Sequence, residues 1–193
     1  MLSKKLEKYH IILSSGSPRR QQFFKDLNLD FEIKVKEVNE VYPKHLKGAE
    51  ITDYLANLKT IQFDKELKDN DLLITSDTIV WLNNKALGKP KSYEEAFKML
   101  RSLSNNTHTV ITSVSIKNIK FQKIFNDKTE VVFKQLTDEE IDFYIKNYEP
   151  FDKAGSYGIQ EWIGKIGIKE IKGSYFNVMG LPTHKLNEEL MNL

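Results

Sequence analysis

Residues 71–88, DLLITSDTIVWLNNKALG, constrain the fold more than any other stretch of the chain. Leu72–Ile74 and Ile79–Trp81 read as strand, Asn83-Asn84 as a turn, and the residues from there to Gly88 as a returning strand. A hairpin at 79–88 demands an antiparallel pair. Around it, helical and strand patterns alternate. Ile11 to Leu13 is a short buried strand, and from Pro18 the apolar positions Phe23, Phe24 and Leu27 recur at helical spacing. FEIKVKEV (31–38) alternates as a half-buried strand does. Residues 51–67 read as an amphipathic helix with Tyr54, Leu55, Leu58, Ile61 and Phe63 inward.

Residues 91–103 predict a helix opened by a Ser92–Glu95 capping box, and 137–148 a second opened by Thr137–Glu140. HTVITSVSI (108–116) and EVVFKQL (130–136) are strand-like, and the last third is glycine-rich loop until a terminal helix from about Thr183. Strands alternating with helices predict an α/β fold, and the hairpin makes the sheet mixed rather than wholly parallel. No repeat, low-complexity tract or change of composition marks a linker, so residues 1–193 read as a single domain.

The charge balance narrows the choice of partners. Twenty-nine basic residues against 27 acidic ones leave a net charge of +2. That is no field to draw the chain onto nucleic acid or a membrane surface, and any anion must be bound locally. With no cysteine there is no disulfide, thiolate metal ligand or catalytic thiol. The N-terminal apolar segment is too short for a signal peptide, and no stretch approaches the roughly 18 apolar residues of a membrane span. A soluble, cytoplasmic protein is expected, with neither nucleic acid nor membrane as partner.

Four stretches carry candidate chemistry. In SSGSPRR, Ser17 precedes Pro18 as an N-cap precedes a proline at the first helical position. Unpaired N–H groups at a helix start accept phosphate oxygens, and Arg19 and Arg20 add bidentate donors. Only three of the 29 basic residues are arginines, and two stand here. The alternative is a capped surface helix with solvated arginines. In ITSDTIV, Asp77 interrupts an apolar run. It is either a turn or strand-end aspartate bonding nearby backbone, or a carboxylate placed to hold a divalent cation or take a proton from water. Lys89, between Gly88 and Pro90, suits a phosphate ligand or a solvated turn lysine, and the residues before it make no Walker A loop. FDKAGSYGIQ (151–160) holds Lys153 and Gln160 between glycines. A glutamine amide offers a donor and an acceptor to a nucleobase edge; a glycine-punctuated connection is the plainer reading. The four histidines are dispersed, without zinc-like spacing, and none is assigned a catalytic role.

In order along the chain, LSSGSPRRQQFFKDL, EVNE, SDTIVWLNNKALGKPKSYEEAFKML, DKTEVVF, LTDEEIDFYI, DKAGSYGIQ and GSYFNVMGLP resemble the Maf family of nucleoside triphosphate pyrophosphatases, from about residue 11 to 186. The resemblance implies an elongated mixed sheet with flanking helices and two lobes around a deep nucleotide-binding cleft, similar to inosine triphosphatases. It also implies a homodimer, a divalent metal cofactor (Mg²⁺ or Mn²⁺), and hydrolysis of a nucleoside triphosphate between its α- and β-phosphates. Asp77 is then expected as general base. Arg19, Thr78 and Gln160 take the positions that track substrate choice. Ser15, Arg20, Lys59, Lys89 and Lys153 are expected to contact the substrate, and Glu37 and Glu40 to help Asp77 hold the metal.

GSYGIQ is similar to the branch acting on dTTP and UTP. The chain departs from the family pattern at Leu103–His108, where a glycine and a basic residue are missing, and at Glu161, where glycine is usual after the glutamine. The competing expectations are a non-catalytic nucleotide-binding regulator, in keeping with the family's association with septum formation, and a pyrophosphatase for modified purine triphosphates.

Overall fold

Asn83 and Asn84 both adopt positive φ, 49° and 60°, as the tight turn of a two-residue hairpin requires. They close β3 (Asp71–Leu82) onto β4 (Lys85–Leu87), with Val80 opposite Leu87 and Leu82 opposite Lys85. The computed structural model describes all 193 residues. Before the hairpin come α1 (Leu2–Leu6), β1 (His10–Ser14), α2 (Pro18–Asp26), β2 (Glu32–Ile33) and α3 (Ala49–Ile61). After it come α4 (Tyr93–Leu103), β5 (Thr107–Lys117), β6 (Gln122–Phe133), α5 (Asp138–Tyr148), α6 (Trp162–Gly167), β7 (Ile168–Lys172), α7 (Tyr175–Val178) and α8 (Thr183–Met191). The seven strands form one sheet in the order β2-β1-β3-β5-β6-β7, with β4 on β3. β1 runs parallel to β2 and β3, whereas β3–β4 and β6–β7 are antiparallel, so the sheet is mixed.

The chain divides into two compact units. The first comprises residues 1–77, 112–127 and 180–193. Its sheet core is built by Leu13, Leu72 and Ile74, all fully buried, and Phe63 packs with Ile12 and Leu73. α1 packs on α8. The second unit comprises residues 78–111 and 128–179. There α4 packs on α5 over a core of Leu100, Leu103, Phe133, Ile141, Tyr144 and Ile163. Thr137 and Glu140 form the complete reciprocal capping box that starts α5.

Several expectations are corrected by this arrangement. FEIKVKEV forms only a two-residue strand; Phe31 packs on Phe24 as expected, but from Ile33 on the alternation is inverted, with Ile33 and Val35 exposed. Lys34 and Lys36 instead pair with Glu66 and lie over the Phe63 ring, their stems covering apolar surface. The helix expected to reach residue 67 stops at Ile61. It buries Ile51, Thr52, Leu55, Ala56 and Thr60, leaving Tyr54 and Ile61 exposed. Only half of the Ser92 box forms: Ser92 accepts from the Glu95 amide, while Glu95 accepts from Lys91 N–H. β6 begins at Gln122 rather than 130, and α6 and β7 occupy part of the stretch read as loop. Ser17 stands at the N-cap of α2 in extended conformation, but its side chain caps nothing.

Candidate active site

Asp77 lies inside the continuous strand β3, not in a turn or at a strand end. Alternation along the strand puts Thr75 and Asp77 on one face. Thr75 Oγ1 donates to the Ala56 carbonyl and shares a hydrogen bond with Thr60 Oγ1, which lays the last turns of α3 along that face. Lys59, in the same helix, therefore reaches Asp77: its Nζ is 2.6 Å from Oδ1. The same ammonium is 2.8 Å from Glu40 Oε1 and donates to the Ser76 carbonyl. Asp77 is 6 % exposed. Loss of water raises its pKa above the ordinary aspartate value, against the pull of Lys59 and Arg20 toward the ionised form.

Arg20, in the first turn of α2, donates through Nε to the Gly180 carbonyl at 2.8 Å and through Nη1 to the Ser76 carbonyl at 3.1 Å. Burial of the guanidinium lowers its pKa to about 10, with Asp77 opposing that shift, so it stays charged at neutral pH. Ser76 O thus receives both cations, a convergence with no signal in the sequence because a main-chain acceptor has no residue signature. Ser15 is buried, its Oγ accepting from Ser17 N–H and its carbonyl from the Gln21 amide. Arg19 is half-buried and Glu37 exposed.

Two carboxylates, Asp77 and Glu40, therefore converge on one ammonium in the first unit. No group of three or more acidic or histidine side chains is gathered, so Glu37 does not complete such a set. Magnesium commonly takes one or two carboxylates and fills its remaining positions with water and substrate phosphate oxygens. The Asp77–Glu40 pair fits an ion of that kind, and no all-protein cage is needed.

The remaining sequence candidates, Thr78, Lys89, Lys153 and Gln160, belong to the second unit. Thr78 comes directly after Asp77 on β3 and is half-buried; Lys89 is exposed. Gly155 N–H donates to the Gly88 carbonyl at 3.0 Å, tying the Lys153–Gln160 segment to the turn that carries Lys89. Gly155 has φ +68°, and a Cβ there would lie 2.7 Å from Val80 Cγ2, so this close approach needs glycine. Lys153 is buried, its ammonium 2.6 Å from Asp152 Oδ1 and 3.1 Å from Glu161 Oε1. Gln160 lines a pocket of about 370 Å³ with Lys165, Lys169 and Tyr175 among its walls. His108 is a core residue: Nε2 meets the Tyr157 hydroxyl at 2.7 Å, and the ring packs on Phe133.

A family profile described as Maf-like protein matches residues 10–193. The dTTP/UTP pyrophosphatase of Flavobacterium psychrophilum is 62% identical over 192 residues, covering 100% of this chain and 98% of the relative. That of Flavobacterium johnsoniae is 60% identical over 193 residues and covers 100% of both chains. Among solved structures, the Staphylococcus aureus Ham1 protein superposes with a TM-score of 0.53 at 18% identity, covering 93% of this chain and 99% of that one. The last likeness is one of fold.

Proposed function

The chain belongs to the Maf family, and from that premise we propose that it hydrolyses dTTP and UTP between the α- and β-phosphates, a reaction that clears nucleotides from the pool. The observation that carries the catalytic reading is the buried Asp77 carboxylate bound to Lys59, which Glu40 also engages. A carboxylate held ionised by an ammonium, yet raised in basicity by burial, suits a general base. Asp77 takes a proton from water, whose oxygen bonds to the α-phosphorus. The bond from that phosphorus to the α–β bridging oxygen breaks, and pyrophosphate leaves with the electron pair.

Arg19, Lys89 and Lys153 supply positive charge to the phosphates, with Ser15, Lys59 and Arg20 supporting them, and such preorganised charge lowers the barrier most where it meets the leaving group. Asp77 and Glu40, with Glu37 close to Glu40 in sequence, would hold Mg²⁺ or Mn²⁺. When bound, that ion neutralises triphosphate charge. Gln160 reads the edge of a pyrimidine through its paired donor and acceptor, and Thr78 lies next to the reacting carboxylate in the chain. In this reading the whole chain acts as a single domain in a cytoplasmic homodimer.

The test is pyrophosphate release from a panel of pyrimidine and purine triphosphates with Mg²⁺ or Mn²⁺, with light scattering for the dimer. Turnover of dTTP and UTP above the purines is expected. Turnover of purines alone would sink the pyrimidine assignment, and binding without turnover would sink catalysis.

A further inference from the structure

One hydroxyl closes both ends of the turn that carries Gln160. Tyr144, on α5, donates its phenolic O–H to Glu161 Oε2 and accepts the Gly158 N–H at 2.9 Å. Within the same turn, Glu161 N–H donates to the Gly158 carbonyl at 3.0 Å. Gln160 is therefore the third residue of a four-residue turn whose first and last members are both fastened to Tyr144. The other Glu161 oxygen, Oε1, is 3.1 Å from the Lys153 ammonium. Side-chain exposure is 9% for Lys153 and 19% for Glu161, so this contact is shielded far better than a surface pair. The Glu161 carboxyl is also packed on Gly158, where a Cβ would lie 2.7 Å from its carboxyl carbon.

We propose that Glu161 is a positioning residue for substrate recognition: one carboxylate sets the Gln160 turn and, together with Asp152, holds the Lys153 ammonium. The inference rests on the reading that Gln160 and Lys153 meet the nucleotide. Burial and the Glu161 hydrogen bond raise the Tyr144 phenol's pKa, so it remains a donor throughout the working range. Glu161 therefore keeps both partners: a phenol that fixes the turn and an ammonium that it holds jointly with Asp152. Holding a recognition group in one orientation before substrate arrives lowers the entropy lost on binding. Lysine alone, with its many rotamers, would otherwise lose that freedom when it meets a phosphate.

The experiment measures kcat and KM for dTTP, UTP and dGTP in wild type, Glu161→Gln, Tyr144→Phe, Lys153→Ala and Gln160→Ala, with melting midpoints for all five. In Glu161→Gln, KM for dTTP is expected to rise about tenfold while kcat falls less, and the preference for dTTP over dGTP to shrink by a similar factor. Tyr144→Phe frees the turn but leaves the Lys153 contact in place, so it should lose preference with a smaller change in KM. If both variants lower the melting midpoint while KM and preference stay at wild-type values, Glu161 is a structural brace and the proposal is wrong. If Lys153→Ala and Gln160→Ala change KM or preference while Glu161→Gln and Tyr144→Phe do not, positioning fails and the recognition reading survives. If none of the four changes either quantity, the recognition reading itself fails, and the inference with it.

Discussion

The Lys59 ammonium lies 2.6 Å from Asp77 Oδ1, in a pair largely closed to water. Removing either partner therefore has opposite consequences for stability. Asp77→Asn deletes a carboxylate that burial makes costly to ionise and leaves Lys59 its Glu40 contact. Pyrophosphate release should fall about 10²- to 10⁴-fold while the melting midpoint holds or rises. Lys59→Met strands the buried carboxylate, and stability should fall by about 3 kcal/mol along with activity. Urea unfolding and steady-state rates on the two variants check the contrast.

The same carboxylate sets a pH dependence. A general base must be ionised, and the pKa of Asp77 is raised, so the ionised fraction falls as pH drops through a value above the ordinary aspartate range. The acidic limb of kcat/KM should lie correspondingly high in wild type. A pH–rate profile matching a free aspartate would contradict this.

The adjacent arginines should separate cleanly. Arg20 serves two main-chain carbonyls, Gly180 and Ser76, from two different guanidinium nitrogens. Lysine has one ammonium and cannot reproduce that fork, so Arg20→Lys should destabilise the fold by about 1–3 kcal/mol. Arg19→Lys should raise KM for dTTP about tenfold, through loss of a bidentate phosphate contact.

Acid stability should depend on His108. It is 2 % exposed, and burial lowers its pKa from 6.5 to about 4. The unfolded chain then binds the extra proton between those values, so stability falls as pH drops from about 6.5 toward 4, by about 3 kcal/mol in total from this group. His108→Gln should be less stable at pH 7 yet lose less on acidification. Equal slopes of stability against pH in the two proteins would remove His108 as the cause.

Chelation should abolish turnover without unfolding the protein. Lys59 already spans Glu40 and Asp77, so their charges are compensated with no metal required for folding. EDTA is expected to stop pyrophosphate release, Mg²⁺ or Mn²⁺ to restore it, and the melting midpoint to move little in either direction. A large fall in that midpoint with EDTA would mark a structural metal instead.

What could be read directly from the residues is what neighbours in sequence decide. The Thr137–Glu140 box, the Asn83-Asn84 turn and the helix starting at Pro18 depend on groups within four residues of one another, whose geometry is set as soon as the backbone turns. The hairpin excluded a wholly parallel sheet, and the alternation of strands with helices made it mixed. Asp77 stood out because a carboxylate amid apolar residues conflicts with burial unless something compensates it.

Which group compensates it is a tertiary matter. Alternation in FEIKVKEV sets a period of two but not which face turns inward, and Phe63 and Glu66 gave that place to the lysine stems. Lys59 meets Asp77 because Thr60 and Thr75 fasten α3 across β3, and Lys153, already paired with its neighbour Asp152, gains a second carboxylate where Tyr144 holds Glu161. A side chain's chemistry is written in the sequence, but its charge partner is chosen by the packing of elements far apart along the chain. Asp77 was therefore identifiable as an unusual residue from sequence alone, whereas its bond to Lys59 and the clamp around Gln160 exist only in the folded protein.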